Sequence, residues 1–287
     1  MRRLMLYYKL TKPGIVYGNL ISAMAGFVFA SKLHFNLPLF FASMLGIALV
    51  IAGACVFNNY FDRDIDKKMQ RTKFRSLVTG EISNTNALIF AVALALIGFS
   101  LLYFTTNLLT VLMGFVGFYF YVVMYGIWKR KSVYGTLIGS VSGSMPLVGG
   151  YTAVTNRFDL GAVFLFLLMT VWQMPHFYAI ALYRLNDYKA ASIPVLPVIK
   201  GIKAAKFHIL FYILMFILIT ALMFVNKRVG VSFFIVVFSL GIYWLWFDVW
   251  GFSKIKNHTI WAKKLFHLSL IVLLGFCLMI SLNSFLP

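Results

Sequence analysis

The chain has 287 residues, of which 62% are hydrophobic and only 11% charged, with a mean hydropathy of +0.89. That leaves too few polar groups to cover a water-facing surface of this size, which excludes a soluble enzyme. Twenty-six Lys and Arg against seven Asp and Glu give a formal charge of +19. On a soluble domain that charge would point to nucleic acid. Here the cations fall in clusters between long apolar runs, so the expected partner surface is membrane lipid and no nucleic acid.

A helix needs about 20 mostly apolar residues to cross the hydrocarbon core. Nine runs come close to that length, at 14–31, 38–60, 86–104, 108–127, 134–152, 160–182, 207–225, 230–249 and 265–284. Arg2 and Arg3 ahead of the first run imitate a secretory signal, but eight further runs and the polar approach from Lys9 to Pro13 favour a retained first helix. Gly135, Gly139 and Gly143 recur at every fourth position in the fifth run and read as a close helix-packing stripe. Cys55 and Cys277 lie in apolar surroundings without metal-ligand spacing and read as small buried thiols.

Alternate connections must lie on opposite sides of the bilayer, and the cations divide steeply between them. One side takes Arg2, Arg3, Lys9 and Lys12, then the six from Arg63 to Arg75, Lys129 to Lys131, the five from Arg184 to Lys206, and Lys254, Lys256, Lys263 and Lys264. The other takes only Lys32, Arg157, Lys227 and Arg228. The positive-inside rule then predicts a cytoplasmic N-terminus and, after nine crossings, a C-terminus outside. The expected fold is all-α and integral to the membrane, one polytopic domain over residues 1–287.

Three of the seven acids, Asp62, Asp64 and Asp66, crowd the cytoplasmic end of the second run. Like charges this close repel and are costly near hydrocarbon, so a cation is expected among them. Asn58, Asp62 and Asp66 stand at i, i+4 and i+8. On a helix they share one face, drifting by about 40° and rising about 6 Å per step, while Asp64 points elsewhere. An amide and two carboxylates make hard oxygen ligands that suit Mg²⁺, which prefers a few carboxylates together with phosphate oxygens. Arg71 and Arg75 follow at i and i+4, a spacing suited to phosphate forks. Metal-type acids beside phosphate-type arginines suggest a diphosphate. The plain alternative is a solvated helix end neutralised by Arg63, Lys67 and Lys68.

A second cluster ends the sixth run, Trp172-Gln173-Met174-Pro175-His176-Phe177-Tyr178, continuing to Tyr183, Arg184, Asn186, Asp187, Tyr188 and Lys189. Pro175 inside an apolar run predicts a kink, with His176 beside the freed backbone. A lone His is more often a packed, hydrogen-bonded residue than a ligand, and spacing alone assigns it no role.

Asn58, Asp62 and Asp66 followed by Arg71-Thr72 and Arg75 resemble the first motif of the UbiA-type intramembrane prenyltransferases, nine-helix enzymes that move an isoprenoid from its diphosphate to a large acceptor. Lys12-Pro13, Lys129-Arg130-Lys131-Ser132, Trp172 to His176, and Asp187-Tyr188 leading into Ile193 to Val198 are similar to the branch of that family that farnesylates haem. The blocks run from residue 12 to about 201, and beyond them the chain resembles the family only in its span count. The resemblance implies a nine-helix bundle around a cavity open to the cytoplasm, in a bacterial cytoplasmic (inner) membrane. It implies farnesyl diphosphate and haem B as substrates, with Mg²⁺ held by Asn58, Asp62 and Asp66. Arg71, Arg75, Lys129 and Arg130 would offset phosphate charge, and His176, Tyr183, Arg184, Asp187 and Lys189 would lie at the substrates; from their location alone, His176 is expected on haem iron or a propionate, and Lys189 or Lys200 on a propionate. A terminal oxidase or an enzyme of the haem A pathway is the implied downstream partner.

Relatives that prenylate quinone precursors often carry a second aspartate-rich motif after the sixth span, where this chain has only Asp187, so that reading ranks below haem farnesylation. A non-enzymatic transporter would need charges near the bilayer middle, whereas the acids of the two clusters lie at one surface and the remaining spans are nearly free of acids apart from Asp248 at a span end.

Overall fold

The computed structural model describes residues 2–32, 34–254 and 257–286, and every regular element in them is helical. Lys256, one of the cations counted above, lies outside the described residues. In chain order the long helices are α2 (Pro13–Ser31), α3 (Leu37–Phe61), α6 (Asn84–Thr105), α9 (Gly135–Thr155), α10 (Leu160–Tyr183), α13 (Gly201–Val225), α14 (Val231–Lys254) and α15 (His258–Leu282). Between α6 and α9, α7 (Leu108–Tyr119) passes through a π turn at Phe120–Met124 into α8 (Tyr125–Lys131), giving one span of 24 residues. Short helices α1 (Arg2–Leu10), α4 (Arg63–Asp66), α5 (Ser76–Thr79), α11 (Leu185–Ala190) and α12 (Leu196–Ile199) flank the long ones.

Side-chain caps start several of these helices: the amide oxygen of Asn36 accepts from Leu39 N (3.0 Å), and those of Asn107 and Asn257 act likewise at α7 and α15. Polar first turns carry α13 and α15 six and seven residues ahead of their apolar runs, to Gly201 and His258.

Eight helices among the described residues are long and apolar enough to cross a membrane. The fifth expected span is present as α9, 21 residues long, but falls outside that set. Its place in the bundle explains the shortfall, because it packs between α2, α7 and α10 and needs small residues more than greasy ones. A Cβ on Gly150 would lie 2.0 Å from the carbonyl oxygen of Ala23, and one on Gly26 2.0 Å from that of Leu147. The two backbones therefore touch, and only glycine permits it.

The largest core cluster joins α9, α10, α13, α14 and α15 through residues such as Leu165, Leu168, Phe216, Trp244 and Phe276. Asp248 lies near the end of its apolar span Val231–Gly251, as expected, yet it is not solvated. It is buried in α14, six residues before the helix stops, while the ammonium of Lys206 lies 4.6 Å over the ring of Trp261 close by.

Candidate active site

A cavity of about 670 Å³ opens between α2, α3, α7, α9, α10 and α15, and its polar lining gathers at the end of the bundle where α3, α8 and α10 finish. Asn58, Asp62 and Asp66 all line it and are 4, 8 and 5% exposed. They do not share one continuous helix, as their spacing suggested. Helix α3 stops at Phe61, Asp62 is its C-cap with φ −94° and ψ 2°, and Asp66 closes the separate turn α4. The four-residue hydrogen-bond rhythm survives the break, with Asp62 N donating to Asn58 O (2.9 Å) and Asp66 N to Asp62 O (2.7 Å), so the three side chains stay on one wall.

Each member of this set meets a cation from a different segment. Lys12 Nζ donates to Asn58 Oδ1 (2.5 Å), Lys129 Nζ to Asp62 Oδ2, and Arg75 Nη1 to Asp66 Oδ2 (2.6 Å) and Asn59 Oδ1 (3.0 Å). Asn59 in turn donates to the backbone oxygen of Leu10 (2.8 Å), tying the end of α1 to the end of α3. Lys12 sits between α1 and α2 at a left-handed φ of 52°, and burial pushes its ammonium down to about 8. The sequence places Lys12 among the cytoplasmic cations and in a resemblance but not in the site, because nothing in local spacing announces a contact across 46 residues. Tyr121 and Tyr125 also line the cavity, with Lys129 Nζ 4.8 Å over the Tyr125 ring.

Arg71 lines the same end of the cavity, but it and Arg75 belong to turns between α4 and α5, not to a helix face. Arg130 is not among the lining residues. It forks onto Asp64 (2.7 and 2.9 Å) and donates to Phe61 O (2.6 Å), with Asp62 Oδ1 3.6 Å away. That guanidinium holds the Asp64 carboxyl down to about 2.

Helix α10 runs through Pro175 unbroken. His176 lines the cavity, and its ring bonds the hydroxyl of Ser269 on α15, not a freed backbone group. Gln173 donates to Ser140 O (3.0 Å), Ser144 Oγ (3.1 Å) and Met169 O (3.1 Å) from within the same wall. Tyr183, Arg184 and Asp187 line the cavity, whereas Lys189 does not. Asp187 Oδ1 accepts from Gln70 N (3.2 Å), and Tyr188 and Val195 pack against a small cluster of Ile65, Met69, Ala191 and Ile193. The segment after α4 is thereby fastened to the segment after α10, and burial there pushes the Tyr188 phenol up.

No three His, Cys, Asp or Glu side chains form a self-sufficient metal cage among the described residues. Two carboxylates and an amide fit instead an ion that completes its shell with phosphate oxygens and water. Asp62 Oδ1 agrees with such a role, being buried and accepting no hydrogen bond.

Residues 19–271 match the UbiA prenyltransferase family. The chain belongs to that family. As a member it is a prenyltransferase, and its likeness to known proteins is extensive. It is 49% identical to protoheme IX farnesyltransferase of Serratia proteamaculans over 96% of this chain and 94% of that protein. It is also 49% identical to protoheme IX farnesyltransferase 2 of Pseudomonas fluorescens, over 98% and 95%. Among solved structures it superposes on a digeranylgeranylglyceryl phosphate synthase with a TM-score of 0.81 at 18% identity, covering 99% of both chains. It also superposes on a UbiA homologue from Archaeoglobus fulgidus bound to GPP and Mg²⁺, with a TM-score of 0.75 at 16% identity, covering 96% of this chain and 99% of that one. At those identities the structures speak to the fold.

Proposed function

We propose that this UbiA-family chain transfers the farnesyl group of farnesyl diphosphate to a vinyl group of haem B, giving haem O. The observation that carries the reading is the joining of Asn58, Asp62 and Asp66 with Lys12, Arg71, Arg75 and Lys129 on one wall of a cavity that is otherwise mostly apolar. Near-full-length identity to protoheme IX farnesyltransferases supports haem as the acceptor.

Asn58, Asp62 and Asp66 would hold Mg²⁺, which when bound supplies a Lewis acid for diphosphate oxygens. The chain's own cations do the rest. As the allylic carbon–oxygen bond ionises, negative charge accumulates on the departing diphosphate, and Arg71, Arg75, Lys129 and Lys12 supply the positive charge of the wall that would stabilise it. Phe118 and Trp172 also line the cavity, with Tyr121 and Tyr125 beside the ladder, and these aromatic faces shield the allylic cation from early capture by water. The acceptor vinyl group then attacks, and water addition leaves a hydroxyethylfarnesyl side chain. Tyr183, Arg184 and Asp187 stand at the mouth for the polar edges of the substrates, while Arg130 acts through its hold on Asp64 and Phe61.

We read α9 as a ninth crossing and the ladder end of the bundle as cytoplasmic, in a bacterial inner membrane with the N-terminus inside and the C-terminus outside; the cation asymmetry supports that orientation. The product would pass to a terminal oxidase or an enzyme of the haem A pathway. Mass analysis of porphyrins after incubating the purified protein with haem B, farnesyl diphosphate and Mg²⁺ tests the reading. A farnesylated product from haem B is expected; a prenylated product from 4-hydroxybenzoate, with none from haem, would overturn it.

A further inference from the structure

Ser269, in the middle of α15, holds two side chains of α10. Its backbone oxygen accepts from Trp172 Nε1 (2.9 Å). Its hydroxyl donates to the backbone oxygen of Phe266 (2.6 Å) and lies 2.8 Å from His176 Nδ1. A serine hydroxyl has one proton to give, and a carbonyl oxygen can only accept. The proton is therefore committed to Phe266, and the contact with His176 requires Nδ1–H to donate to Ser269 Oγ. The imidazole is thus the Nδ1-protonated form, with the lone pair on Nε2.

Two further facts bear on what that lone pair can bind. The ring's hydrogen bond among the described residues is the one at Nδ1, and His176 lines the cavity. Its plane is set by Trp172 (centroids 5.0 Å apart, 27° between planes) and by Phe266 (4.9 Å, 37°). An imidazole held at one nitrogen by an acceptor, with the other nitrogen unprotonated, is the arrangement that proteins use to ligate metals.

We propose that Ser269 is a positioning residue that, by fixing this tautomer, makes His176 Nε2 the axial ligand to the iron of the haem substrate. The inference rests on the haem reading above and sharpens it. A propionate is not the partner, because Nε2 in this tautomer has no proton to donate to a carboxylate. Trp172, tied to the same residue, keeps α10 and α15 in register at that station.

The test is a titration of the purified full-length protein with haem B, reading the Soret band and the affinity. Ser269→Ala is expected to move the band away from that of histidine-ligated haem and to weaken binding about 10- to 100-fold. Ser269→Thr, which keeps the hydroxyl, is expected to return both toward wild type. His176→Ala should lose the histidine-type band and regain it on addition of free imidazole. A Ser269→Ala protein with wild-type band and affinity overturns the assignment, as does a His176→Ala protein whose spectrum is wild type without imidazole. Wild-type protein that binds farnesyl diphosphate but no haem would overturn the haem reading itself.

Discussion

Replacing Asp62 with Ala removes more than a metal ligand. The side chains of Lys129 and Asp62 are only 8 and 12% exposed, so truncating the acid leaves a buried ammonium without its carboxylate. Breaking a buried pair from one side costs about 3–5 kcal/mol. Lys129 keeps the face of the Tyr125 ring at 4.8 Å in both proteins, so that contact cancels from the difference. A loss of about 3–5 kcal/mol is expected, together with a fall in transfer of at least about 100-fold, since charge stabilisation at the leaving group is lost. Removing both charges, as Asp62→Ala with Lys129→Met, should recover most of the stability and none of the activity. Thermal unfolding of the purified protein in detergent and initial rates of farnesyl transfer separate the two effects. A double variant no more stable than Asp62→Ala would refute the buried-pair argument, and Asp62→Ala protein that transfers farnesyl at the wild-type rate would remove the ladder from the site.

Other perturbations follow from the same contacts. Gly150→Ala would put a Cβ against the Ala23 carbonyl and force α2 from α9, costing about 1–3 kcal/mol or more, whereas Gly149→Ala, whose nearest atom is Ile47 Cδ1 at 3.7 Å, should melt as wild type does. Asp64→Asn should cost at most about 1 kcal/mol because the Asp64 side chain is 62% exposed and that of Arg130 35%, which screens the pair. The folded Asp64 carboxyl is held at about 2 against an ordinary 3.8. The pair therefore contributes fully above the ordinary value and is lost as pH falls through about 2, so melting curves of variant and wild type should converge only below about pH 2. Chelation of divalent ions should abolish transfer, with recovery on adding Mg²⁺, while haem binding read at the Soret band stays intact.

What could be read from the sequence was what is written locally. Apolar run length is a one-dimensional property, and so is the spacing of Asn58, Asp62 and Asp66, which the structure keeps on one wall even though α3 breaks at Asp62. Contacts between distant segments left no such mark: Lys12 reaches Asn58 across 46 residues, and Ser269 reaches His176 across 93. Arg130 shows a different limit. It and Lys129 are adjacent and chemically alike, and only the rotation of α8 about its axis decides that Lys129 faces the cavity while Arg130 turns to Asp64. Run length marks α9 at 134–152, although its composition falls short of the other long helices, since a helix surrounded by protein is selected for close approach rather than for lipid.

The two ends of the cavity are built on different physical terms, and this bears on how each tolerates change. The ladder is assembled from segment ends and turns: the α1–α2 junction, the α3 terminus, α4, the turn before α5 and the end of α8, held by charged hydrogen bonds and backed by apolar contacts such as those among Leu10, Val56 and Leu77. Each bond there offsets the burial of its partner, so single charge deletions leave an uncompensated group and their effects should be strongly non-additive. The station of His176 sits in mid-helix, where Trp172, Phe266 and the facing backbones of α10 and α15 set its geometry. Deleting the Ser269 hydroxyl there removes one acceptor from an otherwise packed interface, so its effect should be confined to the imidazole and to whatever Nε2 binds. A prenyl acceptor as large as a porphyrin needs such a fixed point: unless one atom of the ring is anchored, the vinyl carbon is not held within reach of the ionising bond, and positioning of the reacting atoms supplies much of the rate.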